Sequence, residues 1–130
     1  MKPLFHPAIE DVTVEGILYA LSDPVRSAIY ADIAGSQCSM NCSNFLNISE
    51  KPVPKSTLSQ HFKALREAGL IRSERRGVEM QNTSRCDEIA ARFPGLLPAI
   101  RQALNLQTEG HARAVRASRR RLAARKAKNR

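Results

Sequence analysis

The chain of 130 residues has no tryptophan, two tyrosines, four phenylalanines and three cysteines. So few aromatic side chains argue against a large aromatic ligand pocket. An odd number of cysteines excludes a complete set of intramolecular disulfides, and free thiols are expected in a reducing compartment. Apolar runs are only a few residues long, well short of the ~20 residues that cross a bilayer. The opening MKPLFHPAIEDV lacks the apolar block of a signal peptide. A soluble, cytoplasmic protein with no membrane partner is therefore expected. There is no glycine-rich phosphate loop, metalloprotease histidine pair or nucleophile elbow, so no enzyme class is supported. No internal repeat divides the chain.

What is present is a hydrophobic fraction of 42%, enough to build one core of ordinary density at this length, and a net charge of +9. The charge is unevenly placed. Net charge is −3 over residues 1–54, +4 over 55–85 and −1 over 86–110, so the whole excess sits in 111–130, where nine Lys and Arg meet no acid. A neutral domain with a basic block and a basic tail suits a polyanion better than a small substrate.

Local patterns divide the chain into short elements. Val14, Ile17, Leu18 and Leu21 fall at helical spacing until Asp23-Pro24, and Pro24 opens a second helix with Val25, Ile29 and Ile33 in one stripe and Gly35 at its end. The Asn- and Ser-rich segment QCSMNCSNFLNISEKPVP predicts a short helix around Asn41 to Leu46 and then a loop. Ser56 or Thr57 then caps a helix with Leu58, Phe62 and Leu65 inward, and Gly69 is its left-handed stop. LIRSERRGVEMQNTSR reads as a hairpin turning near Arg76-Gly77. A short helical turn follows, then a Phe-Pro-Gly break and a helix carrying Leu96, Leu97, Ile100, Leu104 and Leu106. The fold class is mainly α with a small β-hairpin wing: a winged helix-turn-helix, dimeric, spanning residues 1–108, with 109–130 as a basic flexible tail.

The helix from Ser56 presents Thr57, Gln60, Lys63 and Glu67 outward, flanked by Ser56, Ser59 and His61. Donors and acceptors of this size reach base edges from a helix in a major groove, and Lys55, Lys63 and Arg66 can pair with phosphates. A merely solvated helix face is the plainer reading of the helix alone. A helix and loop before it and Arg72, Arg75 and Arg76 on the hairpin after it favour double-stranded DNA. His61 has no nucleophile or carboxylate partner in sequence that would make it catalytic.

ALSDPVRSAIYADI followed by STLSQHFKALREAGLIRSERRG resembles the ArsR/SmtB family of bacterial winged-helix repressors over Leu18 to Leu104. The resemblance implies a homodimer on a partly palindromic operator that it releases when an effector binds. It places the recognition helix from Ser56, with Thr57, Ser59, Gln60 and His61 as DNA contacts and Arg75 and Arg76 on the wing. Apolar stripes on the first and last helices, beyond what a small winged-helix domain buries alone, put Leu18, Leu97, Ile100 and Leu104 at the dimer interface. The departures from the family concern metal sites. Where many members carry Cys-x-Cys, this chain has Cys38 and Cys42 separated by three residues, and Leu96 to Leu106 contains neither His nor Cys. Glu109 and His111 do not by themselves make a site.

No cofactor is expected. Cys38 and Cys42, with Cys86 as a third thiol, are either small structural residues or a sensor, by disulfide or by binding a thiophilic metal or metalloid effector. In the tail, Ala and Arg favour nascent helix while Val115 and Leu122 look too sparse for a packed face. Electrostatic DNA binding without sequence preference is its expected contribution. The same tail supports the alternative reading, a nucleoid-associated or RNA-binding basic protein of low sequence specificity.

Overall fold

In the computed structural model, which describes residues 4–35, 40–41 and 53–129, an N-terminal arm with one 3-10 turn at Ile9–Asp11 leads into helix α1, Val14–Leu21. Thr13 caps α1 by accepting the Gly16 N–H at 3.0 Å. Helix α2, Pro24–Gly35, follows after two residues. Ser22 caps the end of α1, and Asp23 starts the next helix, because its Oδ1 accepts the N–H groups of Val25 and Arg26 at 2.9 and 3.0 Å. Those are two of the donors that a helix start leaves without partners.

Ile17, Ala20 and Leu21 of α1 are buried, as are Ile29, Tyr30 and Ile33 of α2. Leu18, in the apolar stripe of α1, is 49% exposed. Strand β1 is only Met40–Asn41 and pairs antiparallel with a strand some forty residues later, in the register Met40↔Asn82 and Asn41↔Gln81. Asn41 therefore belongs to a strand and not to the short helix expected from Asn41 to Leu46, because the ladder satisfies its backbone better than weak local helix propensity does. Residues 42–46 lie outside the described residues.

Helix α3, Lys55–Glu67, buries Leu58, Phe62 and Leu65. Each such side chain contributes about 1.5–3 kcal/mol of transfer free energy. The helix starts one residue before the expected cap. Pro54 occupies the cap position without a side-chain bond, and Ser56 and Thr57 sit in the first turn. At the other end Gly69 adopts φ 83°, and Leu70 N–H closes back on Leu65 C=O at 3.0 Å. Glycine is required there twice over: the conformation is left-handed, and a Cβ would collide with Val12 Cγ2.

The chain then forms strands β2, Ile71–Arg76, and β3, Glu79–Ser84, paired from Ile71↔Ser84 to Arg76↔Glu79 around Gly77 and Val78. The sheet order is β1-β3-β2, so the expected hairpin is two strands of a three-stranded sheet. Helix α4, Cys86–Arg92, buries Ile89. These elements form a first unit, Met1–Pro94.

The second unit, Gly95–Arg130, is built on one helix, α5, Leu96–Lys128, entered through Gly95 at φ 83°. Thirty-three residues make a rod about 50 Å long. The helical signal that fades after Leu106 in the sequence thus continues through the basic segment, where Ala, Arg and Lys, all strong helix formers, dominate. None of the residues of α5 is buried.

Candidate nucleic-acid interface

Helix α3 divides cleanly between core and solvent. With Leu58, Phe62 and Leu65 inward, Lys55, Ser56, Thr57, Ser59, Gln60 and Lys63 form one exposed strip. Lys63 leans 4.0 Å from Glu67, an exposed i,i+4 pair worth only a few tenths of a kcal/mol. Two expected contact residues stand apart from this strip. His61 is half-buried, with Nδ1 enclosed and lacking a hydrogen-bond partner among the described residues. Arg66 is half-buried and donates through Nη1 to Ser73 Oγ at 3.2 Å.

Burial raises the Asp23 carboxyl, but the Arg26 N–H, the His61 charge, the Val25 N–H and the Arg26 guanidinium outweigh it and hold the group below the ordinary 3.8. The Asp23 carboxylate that caps α2 thus stays ionised at neutral pH.

The wing carries its cations outward. Arg72, Arg75 and Arg76 are exposed; Arg72 lies 3.7 Å from Glu88, and Arg76 lies 3.6 Å from Glu74 on the same strand. Arg75 has no ion-pair partner among the described residues. At the tip Val78 is wholly exposed beside Gly77, which has φ 66°. An apolar side chain in a two-residue turn was the available signal for this position.

What fixes the wing is a polar network beneath it. Ser73 Oγ donates to Asn82 Oδ1 at 2.7 Å across β2 and β3, and both residues are buried. The Ser73 N–H donates to His6 Nε2 at 3.0 Å, so the N-terminal arm caps the outer edge of β2. Burial, then Arg72 and Arg66, and less strongly Arg85, hold His6 below its ordinary 6.5, against a backbone hydrogen bond to Leu4. A neutral imidazole can accept from Ser73 N–H; an imidazolium cannot.

Two arginines fasten the same arm. Buried Arg85 donates from Nη1 to Pro7 C=O at 2.8 Å and from Nε to Glu88 at 2.5 Å. Arg92 donates to Ile9 C=O and, at 2.6 Å, to Val12 C=O. The Arg85 hydrogen bond is the main reason that Glu88 titrates below 4.5.

Cys38 and Cys42 lie outside the described residues. Cys86 is half-buried, with its N–H on Ser84 Oγ at 3.1 Å. No cluster of three or more His, Cys, Asp or Glu able to hold a metal occurs among the described residues. None of the described helices is long and apolar enough to cross a membrane. Of the residues expected at the dimer interface, Leu18 is half-exposed on α1, while Leu97, Ile100 and Leu104 are partly exposed on α5.

Residues 21–74, from the end of α1 to the middle of β2, match a family model described as a helix-turn-helix domain. Among curated proteins none matches the chain. Among solved structures, the chain is similar to Rv0081 of M. tuberculosis, with 24% identity and a TM-score of 0.55 over 75% of this chain and 90% of that one. It is also similar to an ArsR family transcriptional regulator, with 21% identity and a TM-score of 0.52 over 74% of this chain and 92% of that one. With its helix-turn-helix segment ending in an arginine-bearing wing, the chain has a winged helix-turn-helix fold similar to that of these two structures.

Proposed function

We propose that this protein is a sequence-specific DNA-binding transcription regulator of the cytoplasm, a repressor that holds a palindromic operator as a homodimer. The observation that carries the reading is the exposed strip of Ser56, Thr57, Ser59, Gln60 and Lys63 on a helix whose other face is buried, followed directly by a wing bearing Arg72, Arg75 and Arg76. The strip supplies short polar groups for base edges and the wing supplies cations for phosphates, a division of labour that separates specificity from positioning.

Two-fold symmetry in the protein requires half-sites about one helical turn apart, or a multiple of that spacing. Selection of binding sites from a random DNA pool tests the reading: a repressor returns a paired motif bound at least ~1000-fold more tightly than random duplex. A pool that converges on no motif would instead favour a nucleoid-associated or RNA-binding protein. That second reading is supported by the unbroken basic helix from His111 to Lys128.

A further inference from the structure

Three elements meet at Ser73. Its buried Oγ accepts from Arg66 Nη1 of α3 at 3.2 Å and donates to Asn82 Oδ1 of β3 at 2.7 Å. The Asn82 Nδ2 group is turned to Met80 C=O at 3.4 Å, which leaves Oδ1 for Ser73. Ser73 and Asn82 are direct partners in the ladder, yet the Ser73 N–H points away from β3, so they form the closer, non-hydrogen-bonded kind of pair. In the order β1-β3-β2 that N–H lies on a sheet edge, where His6 Nε2 accepts it at 3.0 Å. The arm presents His6 from a fixed base. Pro7 restricts the residue before it to extended backbone, and its own C=O is held by Arg85 Nη1 at 2.8 Å, with Arg92 holding Ile9 C=O and Val12 C=O beyond it.

We propose that Ser73 is the joint that sets the wing against α3, and that His6 is the positioning residue that locks this joint when neutral and releases it when protonated. This rests on the DNA-binding reading of α3 and the wing, and adds a residue that acts on DNA through the wing. Arg75 and Arg76 follow Ser73 by two and three residues on the same strand. A change in the angle of β2 to α3 therefore moves those cations relative to the bases that the α3 strip would read.

Protonation acts on the joint in two ways. It removes the acceptor of the Ser73 N–H. It also sets a further cation among Arg72 of β2, Arg66 of α3 and Arg85 at the entry to α4, while Glu88 of α4 offsets part of their charge, 2.5 Å from Arg85 and 3.7 Å from Arg72. Burial first, then those three guanidinium groups, hold the imidazole below its ordinary 6.5, so the lock is closed at neutral pH and opens in the acid range. The sign of the effect separates this role from plain electrostatics. A histidine serving as one more cation near DNA would tighten binding to every duplex as pH falls. An opened lock weakens binding to the selected site, whereas random duplex, held by charge without a fixed geometry, loses little.

The full chain is titrated from pH 7 to pH 5 against its selected duplex and against random duplex, with circular dichroism confirming the fold at each pH. Relative to His6→Gln, which keeps an acceptor and does not titrate, the native chain is expected to lose roughly 5-fold or more of its preference for the selected site over this range. His61 and His111 are present in both chains and drop out of the comparison. His6→Ala is expected to show the reduced preference already at pH 7. A native chain that parallels His6→Gln, or that binds both duplexes more tightly than His6→Gln in acid, would overturn the lock. A second measurement needs no DNA: in the free chain at pH 7 the Ser73 amide is expected to exchange its hydrogen about 5-fold faster in His6→Ala than in His6→Gln. Equal exchange would overturn the lock whatever the DNA result. If no site is selected from a random pool, the sequence-reading function fails, and the Ser73 exchange still decides whether His6 holds β2.

Discussion

The first unit and α5 solve opposite problems. In Met1–Pro94 an apolar core of Ile17, Ile29, Ile33, Leu65, Leu70, Ile71 and Ile89 is closed to solvent, and buried polar groups such as Asn82 and Arg85 are matched by named partners. In α5 nothing is buried, and cations crowd the far half. A helix in that state depends on propensity and on whatever it docks against, because isolated helices gain little from their own hydrogen bonds. The difference teaches where each task resides. Under the proposed function, the packed unit would hold Gln60 and the wing for base readout, while the charged rod would attract DNA without any particular geometry.

Core truncation gives the sharpest contrast. Leu65→Ala, at a fully buried site, should cost about 2–5 kcal/mol in denaturant unfolding of the chain. Leu106→Ala, at a site 61% exposed on α5, should stay within about 0.5 kcal/mol. Comparable losses at the two positions would erase the distinction between the units.

DNA binding should separate them again. Gln60→Ala should cost about 1–3 kcal/mol on a selected site and much less on random duplex. Arg113→Ala, Arg116→Ala and Arg120→Ala together should weaken both DNAs alike and lower the salt slope by about 0.9 for each phosphate left without its cation. A Gln60 effect equal on both DNAs would place Gln60 on the DNA backbone and remove it from sequence readout.

The smallest expected effect is a pH dependence confined to the first unit. Because His6 is held below 6.5 in the folded state, the unfolded chain binds the proton first as pH falls. His6 should therefore leave stability intact above 6.5, and stability should decline as pH drops from there towards the lowered value. His6→Gln keeps an acceptor near Ser73 N–H without titrating, and should flatten that part of the curve in thermal melts at pH 5 to 7. An unchanged slope would mean that the arm does not depend on the charge state of His6.

Much of the first unit was legible in sequence, because its signals are local. The spacing of Leu58, Phe62 and Leu65, the stop at Gly69 and the turn at Gly77 each depend on residues within a few positions. The missed features are those that depend on distant residues. The pairing of Met40–Asn41 with β3 has no periodicity to reveal it in two residues, and neither His6 on Ser73 nor Arg85 on Pro7 leaves a pattern in the chain.

Arg66 shows the same limit within the candidate site. Its spacing on α3 fits a phosphate contact, whereas its hydrogen bond to Ser73 becomes visible only once β2 folds back beneath it. In α5 the cations concealed a continuous helix, because charge draws attention to solvent while Ala and Arg still favour the helical backbone.

The most direct test of the account is the affinity of the full chain for its selected duplex against random duplex of the same length, at physiological salt. An α3 surface held by a closed core and backed by a basic wing predicts a ratio of at least ~1000. A ratio near one, with both affinities falling equally steeply in salt, would contradict sequence readout by α3 and assign DNA binding to charge alone.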